Sequence, residues 1–158
     1  MKGSTTSPTR RLSDMGIILP KPRTPVANFL PFKRCGNLLY LSGQGPVSED
    51  GHRHIGKVGQ EVSVAEAYEH AKLTTINLLA VTEMALGSIN AVAEVIKVLG
   101  FVNAAPDFTS HPQVINGCSD LLIAVFGNEK GAHARSAVGA GSLPSGITVE
   151  IEIILRAH

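Results

Sequence analysis

The sequence contains no tryptophan, and only 4% of its 158 residues are aromatic. No aromatic side chains interleave with basic ones, so the stacking platforms that hold single-stranded RNA are missing. Charge of one sign is missing too: 14 Lys and Arg against 13 Asp and Glu leave a formal charge of +1. Nucleic acids and acidic membranes are gripped by clustered cations, so neither is an expected partner. The densest basic stretch, TRRLSDMGIILPKPR, is short and reads as a solvated face or tail. Only two cysteines occur, Cys35 and Cys118, far apart and at no metal-ligand spacing; free thiols are expected, although a disulfide stays open. No apolar run approaches about 18 residues and no leader resembles a signal peptide, which predicts a cytoplasmic protein without membrane contact. The six histidines fit no H-E-x-x-H or comparable pattern, so no metal is expected; the HRH loop reads as solvated or at most a weak metal binder. GxGxxG, GxxxxGK[ST] and a Ser–His–Asp order are absent as well.

The length suits one domain with a substantial core. Residues 1–6 are polar and expected to be disordered. In SPTRRLSDMG, Ser7 is an N-cap, Pro8 opens a short helix and Gly16 stops it. ILPKPRTPV holds three prolines and predicts an extended connector. Residues 1–24 are thus a tail with a short helix and a proline-rich connector, and 25–158 a single domain. A β-hairpin is predicted with arms Asn28–Arg34 and Asn37–Ser42 about the turn CGN, with Pro31 restricting the first arm to an edge or bulge. The following glycine-rich loop has room for a short strand near His54.

A long helix begins at the capping box Ser63/Glu66 and ends at Gly87, burying a face that includes Ala67, Ala71, Thr74, Leu78 and Val81. A strand over Ala93–Asn103 follows. Strict alternation gives it two apolar faces: Val95, Lys97, Leu99, Phe101, and Ile96, Val98, Gly100, Val102. A second helix is predicted from a box at Ser110/Gln113 to Gly127. Two strands, His133–Val138 and Thr148–Leu155, close the chain. The fold class is α+β: a mixed sheet with two helices packed on one face. Helices on one side leave an apolar strand face bare, so association through the sheet is expected.

Two charged residues stand out in the closing strands. Arg135 lies among small residues, leaving room about a guanidinium fork that binds a carboxylate at two points. Glu150 shares a predicted face with Thr148 and Glu152 and could polarise a water as a general base. An Arg–Glu pair that merely ties strands or subunits together explains the same residues. Gly43 and Gly45 in LSGQGPV allow close backbone approach to a ligand, or simply make a turn. Asn116 reads as a helix-surface or capping amide.

Three stretches together resemble the Rid, or YjgF-like, family: GNLLYLSGQGPV, FVNAAPDFTSHPQVINGCSDLLIAVFG and ARSAVGAGSLPSGITVEIEIIL. The resemblance spans about residues 25–157. Its closing signature is Ala134-Arg135-Ser136, a Leu143-Pro144 turn and Glu150-Ile151-Glu152. It implies a chorismate-mutase-like homotrimer whose three sheets form a barrel, with ligand clefts between subunits. It implies hydrolysis of reactive 2-imino acids, or their enamine tautomers, to 2-oxo acids and ammonia, without a cofactor. By position, Arg135 would bind the substrate carboxylate and Glu150 would place the attacking water. Asn116, Ser42, Gly43 and Phe29 would line the cleft. Phe29 stands where the best-known members carry Tyr, and Ala137 where Cys is common, as in a less-studied branch of the family. Two other classes stay open: a sensor that binds small carboxylates without catalysis, and an endoribonuclease, a label often attached to this family. Retention of Glu150 favours an enzyme over a sensor.

Overall fold

A computed structural model describes residues 6–158. The expected disorder of residues 1–6 lies outside the described residues apart from Thr6. Helix α1 spans Pro8–Asp14, capped by Ser7, whose hydroxyl accepts from Arg10 N. Its Leu12 is buried in the main core. Strands β1 (Phe32–Cys35) and β2 (Leu38–Leu41) form the hairpin around Gly36 at φ 59°. The first arm is shorter than predicted, because Pro31 lacks an N–H to extend the ladder. The glycine-rich loop contains no strand; single bridges such as Val47–Arg53 and Ile55–Ile147 pin it instead.

Helix α2 (Val64–Leu86) forms where its capping box and Gly87 placed it, with both box hydrogen bonds present. Thr75 and Thr82 are also buried, each donating its hydroxyl to the carbonyl four residues earlier. Helix α3 (His111–Gly131) starts differently from expectation: Ser110 makes no side-chain cap bond, so the Ser110/Gln113 box does not form. Pro112 in the first turn has no N–H to satisfy, which lessens the need for one. Gly127, at φ 87°, breaks the helix as predicted, and one further turn follows.

The sheet order is β1-β2-β5-β3-β4, where β3 is Val92–Asn103, β4 is Ala134–Ala140 and β5 is Val149–Ala157. All neighbours are antiparallel except β3 and β4. Both closing strands run about two residues further than predicted. A register shift between Val95 and Lys97 corrects the strict alternation of β3. The extra residue at Ile96 turns Val95 to the same buried side as Val98 and Val102.

Helices α2 and α3 cover one face of the sheet, burying Leu39, Val98, Ile151, Ile153 and Leu155 completely or nearly so. Each such side chain contributes about 1.5–3 kcal/mol by leaving water. The helices cross tightly: a Cβ at Gly117 would lie 2.0 Å from the Tyr68 carbonyl oxygen, so only glycine fits there. No element covers the opposite face among the described residues, and Tyr40 and Val138 there are each 43% exposed.

Candidate functional site

Arg135 lies on β4, at the sheet edge, paired with Val98. Val98 belongs to the helix-covered face, so Arg135 points toward α3. There Nη1 donates to Asn116 Oδ1 (2.9 Å) and Ser119 Oγ (3.1 Å), while Nη2 reaches the Pro112 carbonyl at 3.4 Å. Asn116 and Ser119 are three residues apart and share one helix face. Among the described residues Arg135 meets no carboxylate; the ion pairs are Arg10–Asp14 and Arg156–Glu94. An Arg135–Glu150 tie within one chain is therefore not formed. With Nη1 occupied twice and Nη2 once, Nε–H and one Nη2–H have no partner among the described residues. Those two N–H groups can grip both oxygens of a carboxylate. Ala137, next on this face, is small and leaves the approach open.

Glu150 lies elsewhere. It pairs with Phe101 on β3, and Val98 and Phe101 fall on opposite sides of that strand. Glu150 is half-buried on the face that no helix covers. Burial pushes its carboxyl above the usual value, and the charge of Glu152 adds to the effect. A Cβ at Gly43 would sit 3.0 Å from Cγ and Cδ of Glu150, so the glycine lets the carboxylate lie against the end of β2. Ser42 is fixed nearby: its N–H donates to Pro31 O, and its hydroxyl to Leu30 O. Asn77 on α2 holds the next turn by donating to the carbonyls of Gly45 and Val47. Phe29 and Ser42 line a groove of about 470 Å³ that Tyr40 and Glu152 also border. Thr148 does not share the glutamate face as expected. It is buried just ahead of β5, its hydroxyl 2.9 Å from His70 Nδ1.

The six residues singled out by sequence thus form two groups. Asn116 and Arg135 meet on the helix side of the sheet edge; Phe29, Ser42, Gly43 and Glu150 gather at one end of the bare face. With β3 between β4 and β5, the two groups stand about 10 Å apart in strand spacing and on opposite faces. One small acid cannot bridge them within a chain. Ser119 and His133, both bound to the Arg135 network, were not singled out. Their signal was periodic: His133 precedes Arg135 by two on a strand, and Ser119 follows Asn116 by three on a helix.

The His52 and His54 rings meet edge to face and those of His54 and His70 at a tilt, with centroids 4.8 and 4.5 Å apart, but no group of three or more His, Cys, Asp or Glu among the described residues could hold a metal. Both cysteines are free, Cys35 exposed and Cys118 buried, where burial pushes its thiol up to about 12. Among the described residues no helix is long and apolar enough to cross a membrane.

A family model described as "YjgF/chorismate mutase-like, putative endoribonuclease" matches residues 9–149. Protein TCP17 of Trypanosoma cruzi is 37% identical over 147 residues, covering 93% of this chain and 92% of its own. Two solved structures share the fold closely. Atu1372 of Agrobacterium tumefaciens, a protein of unknown function, is 42% identical with a TM-score of 0.85, over 94% of this chain and 92% of that one. A protein of Shewanella oneidensis described as a putative endoribonuclease is 26% identical with a TM-score of 0.91, over 96% and 99%. The chain belongs to the YjgF/chorismate mutase-like family.

Proposed function

We propose that this protein hydrolyses 2-imino acids, or their enamine tautomers, to 2-oxo acids and ammonia, in clefts between copies of the chain and without a cofactor. The observation that carries the reading is Arg135: a half-buried guanidinium held by Asn116 and Ser119, met by no carboxylate among the described residues and with a two-pronged edge open there. Such a group is matched to a small carboxylate. The edge of one copy, carrying Arg135, would face the Phe29–Gly43 and Glu150 end of another. That packing would also cover part of the bare sheet face, in keeping with the trimer that the family resemblance implies.

In this cleft Arg135 holds the substrate carboxylate and fixes the imine carbon beside Glu150. Glu150 takes a proton from a water as its oxygen bonds to that carbon. From the protonated imine this gives a neutral carbinolamine, whose nitrogen takes the proton back from Glu150. The C–N bond then breaks with its electrons going to nitrogen, and ammonia leaves as the C=O forms and the hydroxyl proton passes to Glu150. The raised affinity of Glu150 for protons suits a base that must accept one and return it. Phe29 brings no hydroxyl, so holding the water falls to Glu150.

The test is ammonia release from 2-iminopropanoate and 2-iminobutanoate generated in situ, by wild type and Arg135→Ala, with the oligomer mass measured alongside. Acceleration lost in the variant supports the reading. Wild type that binds pyruvate yet hydrolyses nothing makes the protein a carboxylate sensor. RNA cleavage by homogeneous protein, abolished by Arg135→Ala, would turn the reading to the endoribonuclease named in the family description.

A further inference from the structure

Behind Arg135, on the side away from its open edge, a chain of hydrogen bonds runs into the protein. Ser119 Oγ lies 3.1 Å from Arg135 Nη1 and 2.8 Å from His133 Nε2. His133 Nδ1 lies 2.6 Å from the Gly131 carbonyl oxygen. A carbonyl only accepts, so Nδ1 carries a hydrogen. In the neutral ring Nε2 is then an acceptor, and the Ser119 hydroxyl hydrogen must go to it. The lone pairs of Ser119 Oγ are left for Arg135. Each link thus has one direction: Arg135 Nη1–H to Ser119, Ser119 O–H to His133, His133 Nδ1–H to Gly131.

The surroundings keep the ring neutral. Burial is the main cause that holds the pKa of His133 below its usual value; the Gly131 bond opposes it and the charge of Arg135 adds to it. Cys118, on the same helix as Ser119, stays a neutral thiol. Ser119 is itself buried, and no other polar side chain shares its hydroxyl among the described residues.

We propose that Ser119 and His133 are positioning residues that lock the Arg135 guanidinium through Nη1 and so present its Nε–H and Nη2–H edge to a substrate carboxylate. The proposal rests on the reading of Arg135 as the carboxylate anchor. A free guanidinium would surrender rotamer freedom on binding; a locked one has already done so, and its affinity is higher for that reason. Asn116 and the long 3.4 Å contact from Nη2 to the Pro112 carbonyl leave the plane freer to tilt than a second bond on Nη1 does.

Two measurements on the full-length protein in its native assembly separate the lock from the anchor. The first is 15N NMR of the Arg135 guanidinium. Separate Nη1 and Nη2 signals are expected in wild type and in Ser119→Thr, merging in Ser119→Ala and exchanging faster, short of merging, in His133→Phe. The second is calorimetry with pyruvate and 2-oxobutyrate. Ser119→Ala should weaken Kd roughly tenfold, the scale of one lost hydrogen bond to a charged group, and His133→Phe less, because the serine can still accept. Ser119→Thr should remain close to wild type. Merged signals in wild type would overturn the lock. Signals that merge in Ser119→Ala while pyruvate affinity stays unchanged would overturn its role in presenting the edge. Separate signals in a wild type that binds no 2-oxo acid would mean the anchor reading fails, and the proposal with it. Should Ser119→Ala not fold, His133→Phe carries both measurements.

Discussion

The two faces of the sheet are made by the same strands under the same alternation, yet they are completed differently. On the helix side, Leu39, Ile151 and Leu155 are fully buried and the charged residue Arg135 is tied down by three hydrogen bonds. On the bare side, Tyr40 and Val138 stand 43% exposed, and Glu150 rests on a glycine with its proton affinity raised. Two helices cover the first face, and among the described residues nothing covers the second. The chemistry proposed above draws one charged group from each, and on that proposal the second group comes from another copy of the chain.

The sharpest way to break this comparison is to disable the bare face chemically while keeping its shape. Glu150→Gln should retain pyruvate binding but lose roughly two to four orders of magnitude in imine hydrolysis, the scale of a positioned general base. Full hydrolysis in that variant would make Glu150 a structural residue. Next come packing changes on either face. Ile151→Ala should cost about 2–5 kcal/mol in denaturant unfolding, as expected where a buried side chain leaves a cavity. Tyr40→Ser with Val138→Ser should instead change unfolding of the separate chain by about 1 kcal/mol or less, and lower the oligomer mass in sedimentation. If the double variant keeps its mass, the bare face is not the interface.

Arg135→Lys probes the helix side. A point charge cannot reproduce the fork, so pyruvate affinity should fall by about tenfold or more while thermal stability stays near wild type. The smallest expected effect is on stability against pH. The carboxyl of Glu150 is raised above its value of 4.5, so the folded state holds that proton more tightly than the unfolded chain does. Its contribution is therefore most favourable below about pH 4.5 and is lost as pH rises through the higher folded value. Glu150→Gln should have a slightly higher Tm than wild type at pH 7, a gain that shrinks toward pH 4. A constant difference would place the cause outside this carboxyl.

Much of the fold was legible locally. Ser7 with Pro8, the Ser63/Glu66 box and the stops at Gly87 and Gly127 mark helix ends because each meets a specific backbone need there. The box at Ser110 failed because Ser110 sits at φ −93°, ψ 33°, outside the extended conformation that an N-cap normally adopts. The bulge at Ile96 has no signature in the sequence, because Val95, Ile96 and Val98 are alike in shape and polarity whichever face they take. The site was legible as a set of residue types, through its resemblance to a family, but not as a geometry. Ser119 and His133 were visible only as spacings, which acquire meaning once α3 is seen to lie over β4.

By itself the sequence determined the order of the main elements, the caps and stops of most helices and the membership of the family. Only the tertiary structure decided which face each charged residue occupies. Alternation says that neighbours along one strand point oppositely; it says nothing about how two strands far apart in the chain align. That alignment comes from β3, which pairs Val98 with Arg135 and Phe101 with Glu150. The two pairing positions are three residues apart on a strand of period two, so the charges fall on opposite sides. A shift of one residue in either ladder would have placed them together, and the register that prevents it is set by the packing of the whole core against α2 and α3.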